Sequence, residues 1–248
     1  MSGHNKWSTI KHKKGKADAK RGKIFTKVIR EITTAAREGG GDPDGNPRLR
    51  AAVSAAKAVN MPADNITKAI QRGTGELPGV SYEEVFYEGY GPGGVAVMLQ
   101  VLTDNRNRTT AEIRHLFSKH GGNLGESGCV AFLFNKQGYL IVPRSAGDED
   151  TVMEAVLEAG GEDFIAEDPE LFEIYTAADE LHRVKAALEE RGLAIEEARV
   201  EMVPTTQVEL TDKRADQMIR LMEAFEDHDD VQNGWANFDI DEKLLEAS

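Results

Sequence analysis

Glu149–Tyr175 reads EDTVMEAVLEAGGEDFIAEDPELFEIY, and the order of elements in it sets the fold class. A helix is expected from about Glu149 to Ala159. Strands near Phe164 and from Phe172 to Tyr175 flank the turn at Asp168-Pro169. Downstream come a helix from Ala178 to Arg191 and a strand from Ala194 to Val203. Upstream, Val130–Phe134 reads as a strand, and Gly138–Val142 continues or pairs with it. The series is β-α-β-β-α-β, the ferredoxin-like order.

Further outward the same order recurs. After Pro204 come a strand at Gln207–Leu210, a helix from Asp212 to Asp227 and a strand at Gly234–Ile240. On the other side, Val85, Phe86, Tyr87 and Tyr90 precede the turn cluster Gly91-Pro92-Gly93-Gly94. Val95, Val97, Leu99 and Val101 then alternate as a strand, and Thr109–His120 reads as a helix. One α+β domain interrupted by another of like architecture accounts for both series.

The chain before residue 79 is helical. Ile24, Phe25, Val28, Ile29 and Ile32 recur at helical spacing from a start near Asp18, and Gly39-Gly40-Gly41 ends the run. Asn46 is an expected N-cap with Pro47 at the first helical position. Leu49, Ala52, Val53, Ala56 and Val59 give the second apolar face. Pro62 opens a third helix through Ile66, Ala69 and Ile70, ended by Gly73. The expected fold class is therefore α+β: an N-terminal three-helix domain followed by two ferredoxin-like α+β domains, one inserted in the other. The expected boundaries are 1–78 for the basic tail and bundle, 79–132 plus 205–248 for the outer α+β domain, and 133–204 for an acidic insert.

Charge is segregated. Ten of the first thirty residues are Lys or Arg and one, Asp18, is acidic, a net +9, whereas the whole 248-residue chain carries −13. The remaining 218 residues thus hold −22. An acidic chain with positive charge gathered at one end is suited to an anionic polymer. Lys6, Lys11, Lys13, Lys14, Lys16, Lys20, Arg21, Lys23, Lys27 and Arg30 would contact phosphate, with Trp7 and His12 stacking on bases or sugars. Arg106 and Arg108, where a strand meets a helix, are a second candidate phosphate contact. The alternative is that Asp104 or Glu112 neutralises them within the fold.

Hydrophobic content of 40% and charged content of 29% are those of an ordinary globular protein. The single cysteine, Cys129, excludes an internal disulfide framework and a Cys-based zinc site; opening an apolar strand, it reads as packed. No apolar run approaches the roughly 20 residues of a membrane helix. No apolar core follows the basic start, as it would in a secretory signal, and the segment is Lys-rich, unlike a transit peptide. It reads as part of a mature cytoplasmic protein. His120–Gly128 could form an anion-binding backbone nest or a helix C-cap and loop. Gly15–Lys23 does not match a P-loop, because its spacing is wrong and Ile24 stands where Ser or Thr is needed. His115 and His120 lack the spacing of a metal pair on one helix face. His228, among Glu226, Asp227, Asp229 and Asp230, reads as a cation contact or as helix-end surface charge. No catalytic set emerges, and no cofactor, metal or enzyme activity is expected. The carboxylates between 148 and 201 would repel phosphate, so a partner for the acidic domains would be a protein; no membrane partner is expected.

Several blocks resemble the YebC/PmpR family. They are Ser2–Lys14, Asp18–Lys23, Phe25-Thr26-Lys27, Asn60-Met61-Pro62, Thr103–Thr109, Gly121–Leu124 and Trp235–Ile240. The resemblance covers nearly the whole chain. It implies three domains, one helical and two α+β, and a bacterial cytoplasmic DNA-binding regulator of transcription without enzyme activity. A mitochondrial relative that activates translation keeps open the alternative of a ribosome- or RNA-associated translation factor, its basic N-terminus on ribosomal RNA. The protein is thus expected to be a non-enzymatic nucleic-acid-binding regulator of gene expression.

Overall fold

The computed structural model describes residues 21–240. The chain clusters into two compact units. One is the continuous run Phe132–Thr206. The other joins the chain before it to the chain after it.

The larger unit opens with three helices: α1 (Arg21–Gly39), α2 (Pro47–Ala58) and α3 (Ala63–Thr74). Their apolar faces meet, with Ile32, Ala35 and Ala36 of α1 against Leu49, Ala52 and Ala56 of α2 and Ile66 and Ala69 of α3. Asn46 organises the first turn between them. Its Oδ1 accepts from Leu49 N at 3.0 Å, capping α2. Its Nδ2 donates to Ala35 O at 2.8 Å and Gly40 O at 2.9 Å, closing α1. Gly39 leaves room for this side chain, since a Cβ there would stand 2.6 Å from Asn46 Nδ2. The third helix ends one residue beyond the expected stop, at Thr74, with Gly75 in the left-handed conformation. Gly73 instead permits a close crossing: its Cβ would lie 2.4 Å from Thr33 O.

A four-stranded antiparallel sheet follows, ordered β3-β1-β2-β9. Its strands are β1 (Glu83–Tyr90), β2 (Ala96–Thr103), β3 (Asn123–Leu124) and β9 (Val231–Ala236). Strands β1 and β2 form a hairpin in register from Glu83↔Thr103 to Tyr90↔Ala96. Helices α4 (Arg106–Lys119) and α7 (Asp212–Glu226) cover one face. Val85, Tyr87, Val97, Leu99 and Val101 pack there against Ile113, Phe117, Met218, Met222 and Phe225. The Phe117 and Phe225 rings meet edge to face at 4.8 Å. Arg48 ties the helices to the sheet, contacting Glu31 and Glu38 of α1 and Glu84 of β1.

This unit is α+β as expected, but its strand order differs from the β-α-β-β-α-β reading. Val130–Phe134 is not one strand. Ala131–Leu133 is a single 3-10 turn, because Glu88 takes the N–H groups of Val130 and Ala131, both at 2.8 Å, away from any ladder. The hairpin strand β1 fills the inner place instead. The segment β8 (Val208–Leu210) leaves this sheet and pairs in parallel with β10 (Phe238–Ile240). The expected single strand Gly234–Ile240 is divided at Asn237, whose Oδ1 accepts from Ala96 N at 2.7 Å.

The unit Phe132–Thr206 has the ferredoxin-like order. It runs β4 (Phe134–Pro143), α5 (Glu149–Ala159), β5 (Asp163–Ile165), β6 (Leu171–Ala177), α6 (Leu181–Glu190) and β7 (Glu197–Pro204). The sheet order is β5-β6-β4-β7, every pair antiparallel. Leu140, Val142, Phe172 and Ile174 meet Val152 and Val156 of α5 and Val184 and Leu188 of α6 on one face. Tyr139, Ile141, Leu171 and Tyr175 form a second buried cluster on the other.

Candidate nucleic-acid interface

Of the basic residues expected to contact phosphate, Lys6, Lys11, Lys13, Lys14, Lys16 and Lys20, with Trp7 and His12, lie outside the described residues, as does the Arg21 side chain. Lys23, Lys27 and Arg30 form a stripe on α1, four and three residues apart. That stripe meets the C-terminal end of α7. Lys23 Nζ donates to Asp227 O at 3.1 Å and lies 3.3 Å from its Oδ1. Lys27 Nζ donates to Glu226 O at 2.7 Å. Arg30 Nη1 donates to Asp229 O at 2.9 Å and Leu102 O at 3.2 Å, and pairs closely with the Asp230 carboxylate. The last carbonyls of a helix lack partners and carry partial negative charge, so cations belong there.

Asp230 joins this stripe to the second candidate. Its Oδ2 accepts from Arg108 Nη2 at 2.8 Å and Thr109 Oγ1 at 2.5 Å. Arg108 also reaches Asp104 at 2.9 Å and lies 3.8 Å from Glu112. Arg106, on the same first turn, lies 3.2 Å from Glu83. The N-cap of α4 is Asn105, whose side chain accepts from Arg108 N at 3.1 Å. Burial alone would raise the Asp230 pKa; hydrogen bonds from Thr109, Arg108 and Arg30 outweigh it and hold the group at about 2.

His228 closes the cluster. Asp230 N–H donates to its Nδ1 at 3.1 Å, so Nε2 carries the proton toward Glu112 Oε2, 3.0 Å away. Glu112, His228 and Asp230 place ligand atoms within 4.8 Å of one another. Each of these atoms already has a partner inside the protein, which is the arrangement of an internal network.

The glycine-rich loop holds an anion of its own. The buried Glu88 carboxylate accepts from Gly128 N at 2.7 Å as well as from Val130 and Ala131. Tyr90 donates to Cys129 O at 3.0 Å, and burial, with Glu88 nearby, pushes the Cys129 thiol pKa up, away from nucleophilic character.

On α2 and α3, three exposed cations without a partner among the described residues escaped the sequence reading: Lys57 on α2, and Lys68 and Arg72 on α3. Lys68 and Arg72 are four apart on one helix face. None of the three has a hydrogen bond or ion pair among the described residues. Their spacing was visible, but their isolation from carboxylates is a tertiary property. Among the described residues no helix is long and apolar enough to cross a membrane.

A helical N-terminal part, an antiparallel sheet backed by two helices and a ferredoxin-like insert define an α+β protein whose cations at the helical end divide between internal docking and open surface. Residues 5–76 match the family described as TACO1/YebC protein N-terminal domain, and residues 82–238 match the TACO1/YebC second and third domain. The chain belongs to the TACO1/YebC family. A probable transcriptional regulatory protein of Persephonella marina is 58% identical over 247 residues, covering 99% of both chains. One from Desulfatibacillum aliphaticivorans is 60% identical over 245 residues, also covering 99% of both. The crystal structure of a conserved hypothetical protein from Aquifex aeolicus superposes with a TM-score of 0.85 at 50% identity, covering 93% of this chain and 95% of that one.

Proposed function

We propose that this protein is a non-enzymatic, DNA-binding regulator of transcription acting in the cytoplasm. The carrying observation is the charge segregation: +9 in the first thirty residues of a chain at −13. Lys6, Lys11, Lys13, Lys14, Lys16, Lys20 and Arg21 supply the phosphate contacts in this reading, with Trp7 and His12 stacking. Lys57, Lys68 and Arg72 extend the basic surface onto α2 and α3. Residues 59–62 join these helices by a connection of the length found in helix-turn-helix motifs. The relatives' shared description as probable transcriptional regulatory proteins supports the same reading.

An RNA- or ribosome-associated translation factor is the second reading. Asp64 in the first turn of α3 favours it, because that turn would face base edges and phosphates in a recognition helix. A Lys-rich segment carrying Trp7 and His12 also suits irregular RNA. Co-sedimentation from lysate separates the two. Recovery with chromosomal DNA after ribonuclease treatment supports the first, and recovery with ribosomes that survives deoxyribonuclease supports the second.

A further inference from the structure

We propose, resting on the reading of the protein as a nucleic-acid binder, that the cations where the end of α4 meets the first half of α7 form a second contact for the phosphate backbone. Lys119 is the last residue of α4, and Lys213, Arg214 and Arg220 stand on α7. All four are exposed, and none has a hydrogen bond or ion pair among the described residues. Asp216 and Glu223 lie four and three residues from Arg220, the spacing of a helical ion pair, yet neither pairs with it. The opposite end of α4 differs: Arg106 is paired with Glu83, and Arg108 with Asp104 and Asp230.

The fold gathers these groups from segments far apart in the chain. Glu112 meets His228 at one end of the helix pair; at the other, a Cβ on Gly121 would lie 3.8 Å from Gln217 Nε2. A Cβ on Gly93, in the turn between β1 and β2, would lie 3.7 Å from Arg214 Cδ, and one on Gly122 would lie 3.1 Å from Gly91 Cα. Turn, loop and α7 therefore adjoin. Burial, with Lys119 and Arg220 nearby, lowers the His120 pKa, so basic groups of both helices share this corner. Lys213 and Arg220, two turns apart, face one side of α7 about 10 Å apart along its axis. That span matches about three phosphates of one strand, each roughly 3.4 Å further along a duplex. The corner also lacks what a protein partner uses. A protein interface has an apolar or aromatic centre, and none of the exposed large hydrophobic side chains among the described residues lies on α4 or α7. Phosphate is held by Lys, Arg and amide side chains without such an anchor.

The test is lysine acetylation of the full chain, mapped by mass spectrometry, alone and bound to a short labelled DNA duplex or, separately, a short labelled RNA strand. Bound nucleic acid should slow labelling of Lys119 and Lys213 several-fold. Lys136 and Lys185 of the insert are the controls and should label at unchanged rates. A variant with Lys119→Gln, Lys213→Gln, Arg214→Gln and Arg220→Gln should bind with a slope of log affinity against log salt flatter by about 3. Unchanged labelling of Lys119 and Lys213 while the probe is bound, with an unchanged slope in the variant, overturns this contact and leaves the reading of function standing. Protection by inorganic phosphate alone also overturns it, by assigning the corner to a small anion. Failure of the full chain to bind either probe is a separate result, which overturns both.

Discussion

Asp230 receives donors from two helices: Arg30 of α1, and Arg108 and Thr109 of α4. Its folded pKa, about 2, lies below the value near 3.9 of a free aspartate. Its stabilisation, about 2 kcal/mol by linkage, is complete above pH ~4 and is lost as pH falls through about 2. Asp230→Ala should destabilise by about 3 kcal/mol, because it leaves two guanidinium groups facing a buried gap. In acid titration followed by circular dichroism, the variant should lose the part of the pH dependence between about 4 and 2. Lys27→Ala should likewise lower thermal stability and leave nucleic-acid affinity nearly unchanged; the reverse result would return that lysine to the phosphate interface. Neither role was legible in the sequence. A basic stripe opposite an apolar one looks the same whether it faces phosphate or the end of a helix two hundred residues away.

At the scale of elements, local chemistry was read well wherever the chain itself supplied the partner. Asn46-Pro47 announces α2, and Asn46 caps it while also closing α1. Asn46→Ala should cost about 1–2 kcal/mol, measured by denaturant unfolding. Gly73 was read as a helix stop, but it is the site where α3 passes closest to α1. Gly73→Ala drives a methyl into the Thr33 carbonyl and should destabilise by about 1–3 kcal/mol, against the usual gain of Ala over Gly within a helix. An unchanged or higher melting temperature would contradict that crossing. The β-α-β-β-α-β order of the insert was legible because its alternation and turns lie in one continuous stretch. The outer sheet was not, because Glu88 claims the N–H groups of residues that otherwise look like a strand.

For the whole molecule, the insert enters and leaves at one place. Thr205 N donates to Leu133 O at 2.8 Å, and Phe134 pairs with Pro204. Replacing residues 133–204 with a short Gly linker should leave the outer unit folded, its near-ultraviolet spectrum retaining the signal of Trp235. Aggregation of that variant would show the two units to be one cooperative body. The central claim is that residues before α1 bind nucleic acid through phosphate. Its most direct test is the salt dependence of binding by the full chain and by a variant with Lys6, Lys11, Lys13, Lys14 and Lys16 changed to Gln. Each phosphate contact contributes roughly 0.7 to 0.9 to the slope of log affinity against log salt. The account predicts a slope flatter by about 3 to 5 in the variant, with unfolding unchanged; equal slopes and equal affinities in the two proteins would contradict it.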